Sequence, residues 1–434
     1  MEKTSSESEP APDKSPLRKR VAMFCHDDPL AQLGAQESGG QAVYVNSLLR
    51  ELDKNGWSID AFARLDSRHK KSVSLIGRNS RLIRLQGGPI KYISRKLLFD
   101  FLPELYENFL KFINRQNSYS LFHGHYWDGG WLAAKASKQF SVPFLQNFHS
   151  LGKIRLQVKE QYSYKNNGKD IFDKRLSLEE EISKHADAII SLSSSEKLFL
   201  QQQYKTFEEK IEVIPGGVNL KIFSPVSRQE ARKKLALPEK ELIILFVGRL
   251  EWRKGIGTLI HAANLLKSEV AHLKVLIIGG KIYGRQKNTD DFKEYQRLLK
   301  IVGDLGMENT INFLGCVDNN RLHLFYCSAN ALVVPSYYEP FGLVTLESMA
   351  CKTTIIASNV GGLAKIIQDN VNGLLFQPRN PVDLKEKVLK IHKSPELAKT
   401  LTENGYKNVV ENYSWKKIAE QISNIYSQLI GGKV

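Results

Sequence analysis

The sequence has little of what marks disulfide-stabilised or membrane-spanning proteins. Its 434 residues include only four cysteines, which lie in apolar segments without metal-ligand spacing: Cys25, Cys316, Cys327 and Cys351. We interpret them as reduced thiols of the core, as in a cytosolic protein. No apolar run approaches the ~20 residues needed to cross a bilayer. The sequence therefore excludes a disulfide scaffold and predicts a cytoplasmic location.

The N-terminus lacks the apolar core of a secretory signal peptide. Residues 1–18 are polar and rich in Pro and Ser, a composition typical of a disordered tail. The chain as a whole is an ordinary globular mixture, with 42% hydrophobic and 25% charged residues. It is long enough for more than one core. This composition excludes a collagen-like chain and a wholly disordered protein.

Basic residues are in excess, with 62 Lys and Arg against 46 Asp and Glu and a formal net charge of +16. Such a charge would attract nucleic acid, an anionic membrane or phosphorylated small molecules, and a simple solvated surface explains it equally well. Because the basic residues are spread along the chain without a dedicated arm, nucleic acid is not a predicted partner. Function has to be inferred from a site and not from the charge.

Short apolar segments alternate with helical patterns in both halves of the chain. In the first half they predict strands at residues 21–25, 57–63, 121–123, 142–146, 188–192 and 211–214. In the second half they predict strands at residues 242–247, 274–278, 310–313, 331–334 and 354–357. This alternation indicates parallel sheets covered on both faces. The predicted fold class is α/β, with two Rossmann-like domains facing each other across a ligand-binding cleft.

The boundary between the two domains is predicted near Pro215-Gly216-Gly217, ahead of a basic connecting stretch. The N-terminal domain is thereby expected at residues 19–216 and the C-terminal domain at residues 217–412. The last segment, from Trp415 to Ile430, has the apolar spacing of a helix.

Two cations follow the first predicted strand of the second half. Arg249 comes at the strand end after Gly248, and Lys254 precedes Gly255 five residues later. Arg249 in bidentate fashion and Lys254 as a point charge could hold a diphosphate. A surface charge pair at a turn is the alternative explanation.

A second phosphate-handling element is the run from Glu339 to Leu343, in which Pro340 and Gly342 break the chain before a helix. Because a helix N-terminus attracts anions, the backbone N–H groups of Phe341, Gly342 and Leu343 could face a phosphate or a sugar. Glu339 on the loop could accept sugar hydroxyls, and Glu347, two turns on, could bind a ribose diol. Stabilisation of the helix dipole is the alternative role for a glutamate there.

As an ordered set, these motifs resemble the retaining nucleotide-sugar glycosyltransferases of family four, which have the GT-B fold. The resemblance covers about residues 20 to 430. In the second half it is carried by GRLEWRKG (248–255), PSYYEPFGLVTLESMA (335–350), VGGL (360–363) and GLLFQP (373–378). In the first half it is carried by ESGGQAVYV (37–45), HGHYWDGG (123–130), NFHSLGKIR (147–155) and IPGGVN (214–219).

The resemblance implies roles for donor-site residues. Arg249 and Lys254 would bind the donor diphosphate, with Gly40 beneath it. Glu347 would bind the ribose. Glu339 and the backbone from Phe341 to Leu343 would bind the transferred hexose, and His149 would touch the sugar near the reacting carbon. The resemblance also implies that residues 413–434 cross back onto the first domain.

Within the family, the chain is most similar to bacterial sucrose-6-phosphate synthases, and the enzymes that glycosylate inositol phosphate are also similar. By this resemblance the acceptor phosphate would lie among Arg95, Tyr126, Ser150 and Arg175. Two guanidinium groups and two hydroxyls suit a dianionic phosphate, and Lys153 and Arg155 could add to the field. The alternative for Arg175 is an ion pair with Glu179 along one helix face.

The resemblance predicts transfer of glucose from UDP-glucose or ADP-glucose to fructose 6-phosphate, giving sucrose 6-phosphate with retention at the anomeric carbon. Three alternatives remain: another phosphorylated acceptor such as inositol phosphate, a peripheral membrane lipid glycosyltransferase using the basic, apolar residues 91–116, and a non-catalytic nucleotide-binding protein. The nucleotide sugar is a co-substrate, and no cofactor or obligatory metal is predicted. The spacing of His123 and His125 is compatible with a metal site, but no further ligand completes it.

Overall fold

The computed structural model describes residues 20–25, 27–31, 39–95, 97–113, 119–161, 169–280 and 290–432. The predicted disordered tail, residues 1–18, lies outside the described residues. The described residues form fourteen strands. These are β1 Arg20–Phe24, β2 Ser58–Arg64, β3 Val73–Leu75, β4 Arg81–Leu85, β5 Leu121–His125, β6 Phe144–Asn147, β7 Ala188–Ser191, β8 Ile211–Val213, β9 Leu242–Val247, β10 Leu273–Ile278, β11 Ile311–Gly315, β12 Ala331–Val334, β13 Thr354–Ser358 and β14 Leu374–Phe376.

Fifteen α-helices of the described chain alternate with these strands. These are α1 Gly40–Lys54, α2 Leu102–Ile113, α3 Tyr126–Phe140, α4 Gly152–Gln161, α5 Lys169–His185, α6 Ser194–Tyr204, α7 Arg228–Lys234, α8 Ile256–Leu266, α9 Asp290–Asp304, α10 Asn319–Ser328, α11 Leu343–Ala350, α12 Leu363–Ile366, α13 Pro381–Lys393, α14 Pro395–Asn412 and α15 Trp415–Gly431. None of these helices is both long and apolar enough to cross a membrane.

The strands form two sheets, which confirms the predicted α/β class with two Rossmann-like domains. The first sheet has eight strands in the order β3-β4-β2-β1-β5-β6-β7-β8, and the second has six in the order β11-β10-β9-β12-β13-β14. Neighbouring strands are parallel except for the antiparallel pair β3 and β4. Each sheet is built outward from one central strand, β1 in the first sheet and β9 in the second. The strands that follow it in the chain are added first on one side of it and then on the other, so the direction of strand addition reverses beside this strand. Ligands of such folds bind at this reversal, beyond the carboxyl ends of the strands.

All eleven strands predicted from apolar runs are present, with ends shifted by at most two residues, and those at 242–247 and 331–334 match in full. Three strands were not predicted: β3, β4 and β14. β4 carries two arginines, which the pattern did not favour in a buried strand. They are accommodated because Arg81 pairs with Asp60 at 2.7 Å and Arg84 with Asp28 at 2.8 Å. β3 and β14 are only three residues long.

The last helix, α15, packs against the first sheet and helix α1. The Trp57 indole N–H donates to Ser423 Oγ at 3.0 Å, and Tyr426 Oη lies 2.7 Å from Nδ1 of His123 on β5. Buried Ile418 and Ile422 join an apolar cluster that contains residues of both sheets. We propose that the first domain comprises residues 19–216 together with the crossover segment 413–434, and that residues 217–412 form the second.

Candidate functional site

Two helix N-termini face each other where the domains meet. Helix α1 follows β1 and begins at Gly40, and helix α11 follows β12 and begins at Leu343. A Cβ added to Gly40 would lie 3.8 Å from Leu343 Cδ1, and one added to Gly216 would lie 2.8 Å from Leu343 Cδ2. Each helix start presents unpaired N–H groups and a partial positive charge. The structure thus brings the predicted Gly40 and Leu343 together at a place suited to an anion.

Glycines shape the loop that precedes α11. Gly342 has a φ of +97°, a left-handed conformation that L side chains rarely adopt. The Gly362 N–H donates to the Glu339 carbonyl at 2.9 Å, and a Cβ on Gly362 would lie 2.3 Å from the Pro340 carbonyl oxygen. Only glycine permits this close approach of two backbone segments. The packing fixes the carboxylate of Glu339 and the N–H groups from Phe341 to Leu343 on one rim of the cleft.

Lys254 and Glu339 form an ion pair at the end of the second sheet. Their Nζ and Oε2 atoms are 2.5 Å apart, and the Ser336 hydroxyl donates to the same oxygen at 3.2 Å. Burial would raise the pKa of the Glu339 carboxyl, but the charges of Lys254 and Arg253 outweigh it and lower that pKa. The predicted phosphate cation and the predicted sugar-binding carboxylate are therefore neighbours, and the carboxylate is ionised.

Arg249 is the more exposed of the two predicted phosphate cations, with 43% of its side chain accessible. Its Nη1 lies 3.0 Å from Glu251 Oε1, and the other oxygen of Glu251 accepts from Arg253 Nε at 2.6 Å. Although burial opposes it, the charges of Arg253 and Arg249 hold the pKa of Glu251 well below its ordinary range. The sequence reasoning named neither Glu251 nor Arg253, although both lie inside the GRLEWRKG motif.

Glu347 is almost fully buried on α11, one turn in from the helix start. The Tyr326 hydroxyl donates to its Oε2 at 2.7 Å. Burial raises the pKa of Glu347 to about 7. Its described hydrogen-bond partner is thus a tyrosine of α10 and not one of the predicted cations.

His149 lies beyond the end of β6 with a φ of +57°. Its Nε2 is 2.8 Å from Nδ1 of His125, and its ring packs edge-on against Tyr44 at a centroid distance of 4.9 Å. Burial, followed by the charges of His125 and Arg95, lowers the pKa of His149 well below its ordinary value. The imidazole is therefore neutral at physiological pH.

Three guanidinium groups converge on the Tyr126 side chain. The Arg95 and Arg175 groups lie 4.3 and 4.7 Å from the ring centroid, and Arg155 Nη1 is 3.5 Å from the phenol oxygen. Burial would raise the pKa of the Tyr126 phenol, but the three positive charges together lower it. The predicted Arg95, Tyr126 and Arg175 thus form one cationic cluster, which Arg155 completes; Tyr126 and Arg175 are buried, and Arg95 and Arg155 are half-buried.

Carboxylates hold two of these arginines in place. Arg95 Nη2 donates to Asp27 at 2.6 Å. Arg175 Nε donates to Glu179 at 2.6 Å, and its Nη2 donates to the Ser150 carbonyl at 2.7 Å. The ion pair between Arg175 and Glu179, considered above as an alternative to acceptor binding, is therefore present. It does not remove Arg175 from the cluster, because the guanidinium still lies over the Tyr126 ring.

Within the described ranges, no group of three or more His, Cys, Asp or Glu residues could hold a metal ion. His123 and His125, which have a possible metal spacing, are each bonded at Nδ1 to another side chain, Tyr426 and His149 respectively.

Two family models match the chain, one for each half. The model described as "Glycosyltransferase Family 4" matches residues 38–222, and the model described as "Glycosyl transferases group 1" matches residues 227–408. The two matched ranges together contain Gly40, the Lys254–Glu339 pair and the arginines around Tyr126.

Individual relatives match over most of the chain. The chain is 30% identical to a D-inositol 3-phosphate glycosyltransferase of Acidothermus cellulolyticus, over 84% of this chain and 80% of that protein. It is 28% identical to the protein of the same name from Nocardiopsis dassonvillei, over 95% of each. Among solved structures, sucrose-phosphate synthase from Thermosynechococcus elongatus is 35% identical with a TM-score of 0.87, over 96% of this chain and all of that one.

Proposed function

The chain belongs to the family 4 glycosyltransferases and is a hexosyltransferase, and on that premise we propose that it transfers glucose from UDP-glucose or ADP-glucose to fructose 6-phosphate. The product is sucrose 6-phosphate. The observation that carries this proposal is the cluster of Arg95, Arg155 and Arg175 around the Tyr126 side chain, which suits a phosphate dianion on the acceptor. The 35% identity to a sucrose-phosphate synthase supports the choice of fructose 6-phosphate.

In the proposed reaction the bond between the anomeric carbon and the diphosphate breaks, and negative charge builds up on the leaving diphosphate. Arg249, Lys254 and the N-termini of α1 and α11 stabilise that charge. One full-charge contact at ~4 Å and an effective dielectric of ~20 contributes of order 4 kcal/mol before desolvation costs. Such contacts accelerate the reaction because they are stronger in the transition state than in the bound substrate.

The acceptor hydroxyl attacks the anomeric carbon on the face that the diphosphate leaves, so the product retains the anomeric configuration. Its proton passes to an oxygen of the departing diphosphate, and no protein base is required. Glu339 accepts hydrogen bonds from hexose hydroxyls, Glu347 binds the ribose, and His149 touches the hexose near the reacting carbon. When a diphosphate binds, Lys254 shares its charge between the diphosphate and Glu339.

Inositol phosphate is the second candidate acceptor. The relatives that are 28–30% identical are named D-inositol 3-phosphate glycosyltransferases, and the same cationic cluster suits any phosphate monoester. Donor and acceptor identity therefore have to be tested together.

The test is an activity matrix with product identification by mass spectrometry. UDP-glucose, ADP-glucose and UDP-N-acetylglucosamine are each combined with fructose 6-phosphate, fructose, inositol phosphate and inositol. We expect sucrose 6-phosphate from UDP-glucose or ADP-glucose with fructose 6-phosphate. Turnover of inositol phosphate alone would favour the second candidate, and equal use of fructose and fructose 6-phosphate would overturn the phosphate pocket.

A pair of variants checks the pocket in the same assay. Arg155→Gln removes one charge-assisted contact, so the KM for the phosphorylated acceptor should rise about tenfold to hundredfold. Lys174→Gln removes an equal charge from an exposed position beside Arg175 and should leave that KM unchanged. An equal rise of this KM in both variants would show that the overall positive charge of the protein, and not this pocket, binds the phosphorylated acceptor.

A further inference from the structure

His149 is held by a second histidine that has no assigned role. His125 ends strand β5, and its Nδ1 is 2.8 Å from Nε2 of His149. The His123 ring lies 4.1 Å from the His125 ring, and His123 is bonded to Tyr426 of the crossover helix. His125 is fully buried, so its ring is fixed from two sides.

Both rings of the pair are neutral. Burial lowers the pKa of His125 to about 3, and the pKa of His149 is lowered well below its ordinary value. A neutral imidazole carries one proton on one of its two nitrogens. The 2.8 Å contact therefore has two arrangements: either His125 Nδ1–H donates to His149, or His149 Nε2–H donates to His125.

The remaining nitrogen of His125 distinguishes these arrangements. Its Nε2 is buried and has no hydrogen-bond partner. If His149 donated, the proton of His125 would have to lie on Nε2, as a buried N–H without an acceptor. Leaving a buried donor unsatisfied costs about 1–3 kcal/mol, and orphaned buried N–H groups are rarer than under-satisfied acceptors. The first arrangement, with a bare Nε2 on His125, is favoured.

We infer that His125 is a positioning residue that fixes His149 in the Nδ1–H tautomer, as a hydrogen-bond donor to the transferred sugar. In this tautomer Nε2 of His149 accepts from His125, and the proton lies on Nδ1, which has no partner among the described residues. His149 then donates to an oxygen of the sugar and cannot act as a general base. The inference rests on the proposed function only in naming the sugar as the partner of Nδ1.

The test is long-range ¹H–¹⁵N correlation NMR of the full chain labelled with ¹⁵N-histidine, at neutral pH and without substrate. The chain contains ten histidines, and loss of one signal set in His149→Asn assigns His149. We expect Nδ1 of His149 in the protonated chemical-shift range and Nε2 in the unprotonated range. A proton on Nε2, or averaged shifts for the two nitrogens, would overturn the inference even if the sugar transfer is as proposed.

Variants separate positioning from simple packing. His125→Phe keeps a ring and removes the donor, so the Nδ1–H preference should disappear and kcat should fall about tenfold, as for one lost hydrogen bond. His125→Asn retains an N–H donor and should restore both properties. Tyr426→Phe is the control, because it removes the bond to His123 and should leave the tautomer of His149 unchanged. A His125→Phe protein with unchanged His149 shifts would contradict the inference.

Discussion

An ion pair in the cleft joins Lys254 and Glu339, which lie 85 positions apart in the chain. The Lys254 Nζ and Glu339 Oε2 atoms are 2.5 Å apart. Both side chains are largely buried. Removing one member of such a pair leaves the other charge unpaired, which is far more damaging than losing a surface pair. A variant that tests Lys254 therefore has to keep a hydrogen bond to Glu339 while removing the positive charge.

For Lys254→Gln we expect kcat to fall about 10²–10³-fold with folding intact, because the positive charge that faces the developing negative charge is lost. The measurement is steady-state turnover together with the thermal unfolding midpoint. Lys385→Gln is the matched control, since the pair between Lys385 and Glu269 lies on the surface. Normal turnover in the Lys254 variant would remove Lys254 from the proposed diphosphate site.

Single residues of the site were predictable to different degrees. Arg249 and Lys254 follow a clear apolar strand, and Gly342 precedes a clear helix, so local pattern was enough to single them out. The side chains that hold other residues of the site in place were not found in this way. Asp27 meets Arg95 across 68 positions, and His125 meets His149 across two strands of one sheet. Such pairs depend on tertiary packing, which no local spacing reports.

At the scale of one element, helix α11 combines an anion-attracting start with a buried acid. Leu343 begins the helix, and Glu347 lies one turn further, where burial raises its pKa to about 7. A fraction of the unliganded molecules therefore carries a proton on Glu347 at pH 7. Hydroxyl donors from a ribose would favour the ionised form and lower this pKa.

We accordingly expect nucleotide binding at pH 7 to release less than one proton per molecule. The measurement is isothermal titration calorimetry of UDP-glucose, which has no terminal phosphate that titrates near pH 7, in two buffers of different ionisation enthalpy. At pH 9 the release should vanish, since the carboxyl is already ionised before the nucleotide binds. Glu347→Gln should abolish the buffer dependence at pH 7. Proton uptake by the unaltered protein would contradict the proposed contact with ribose.

Elements were predictable where their apolar residues were continuous. β9 and β12 are entirely apolar in sequence and were predicted to the residue, whereas β4 was missed because of its two arginines. The buried acids Asp28 and Asp60 that neutralise them lie on other segments of the first domain. A strand stabilised by ion pairs lacks the pattern that identifies a strand stabilised by apolar side chains.

At the scale of the whole molecule, α15 links the end of the second domain to the interior of the first. Ile422 is fully buried in the apolar cluster that it shares with residues of both sheets. The assignment of this helix to the first domain came from family resemblance. Its apolar spacing alone predicted a helix but not the surface against which it packs.

Ile422→Ala should therefore destabilise the protein by about 2–5 kcal/mol, the usual effect of truncating a buried aliphatic side chain. The measurement is urea unfolding followed by circular dichroism. Gln421→Ala, an exposed change at the preceding position, should shift the unfolding midpoint little. An unchanged midpoint for the Ile422 variant would show that α15 does not stabilise the fold.

The bond between Tyr426 and His123 joins residues 303 positions apart, and this separation matters during synthesis. At ~5–20 residues per second, a ribosome needs roughly 15–60 s to pass from one to the other. Throughout that interval the apolar residues of the first sheet and of α1 that pack against α15 lack this partner. The nascent chain therefore carries an uncovered apolar surface, of the kind that favours aggregation, until translation has reached helix α15.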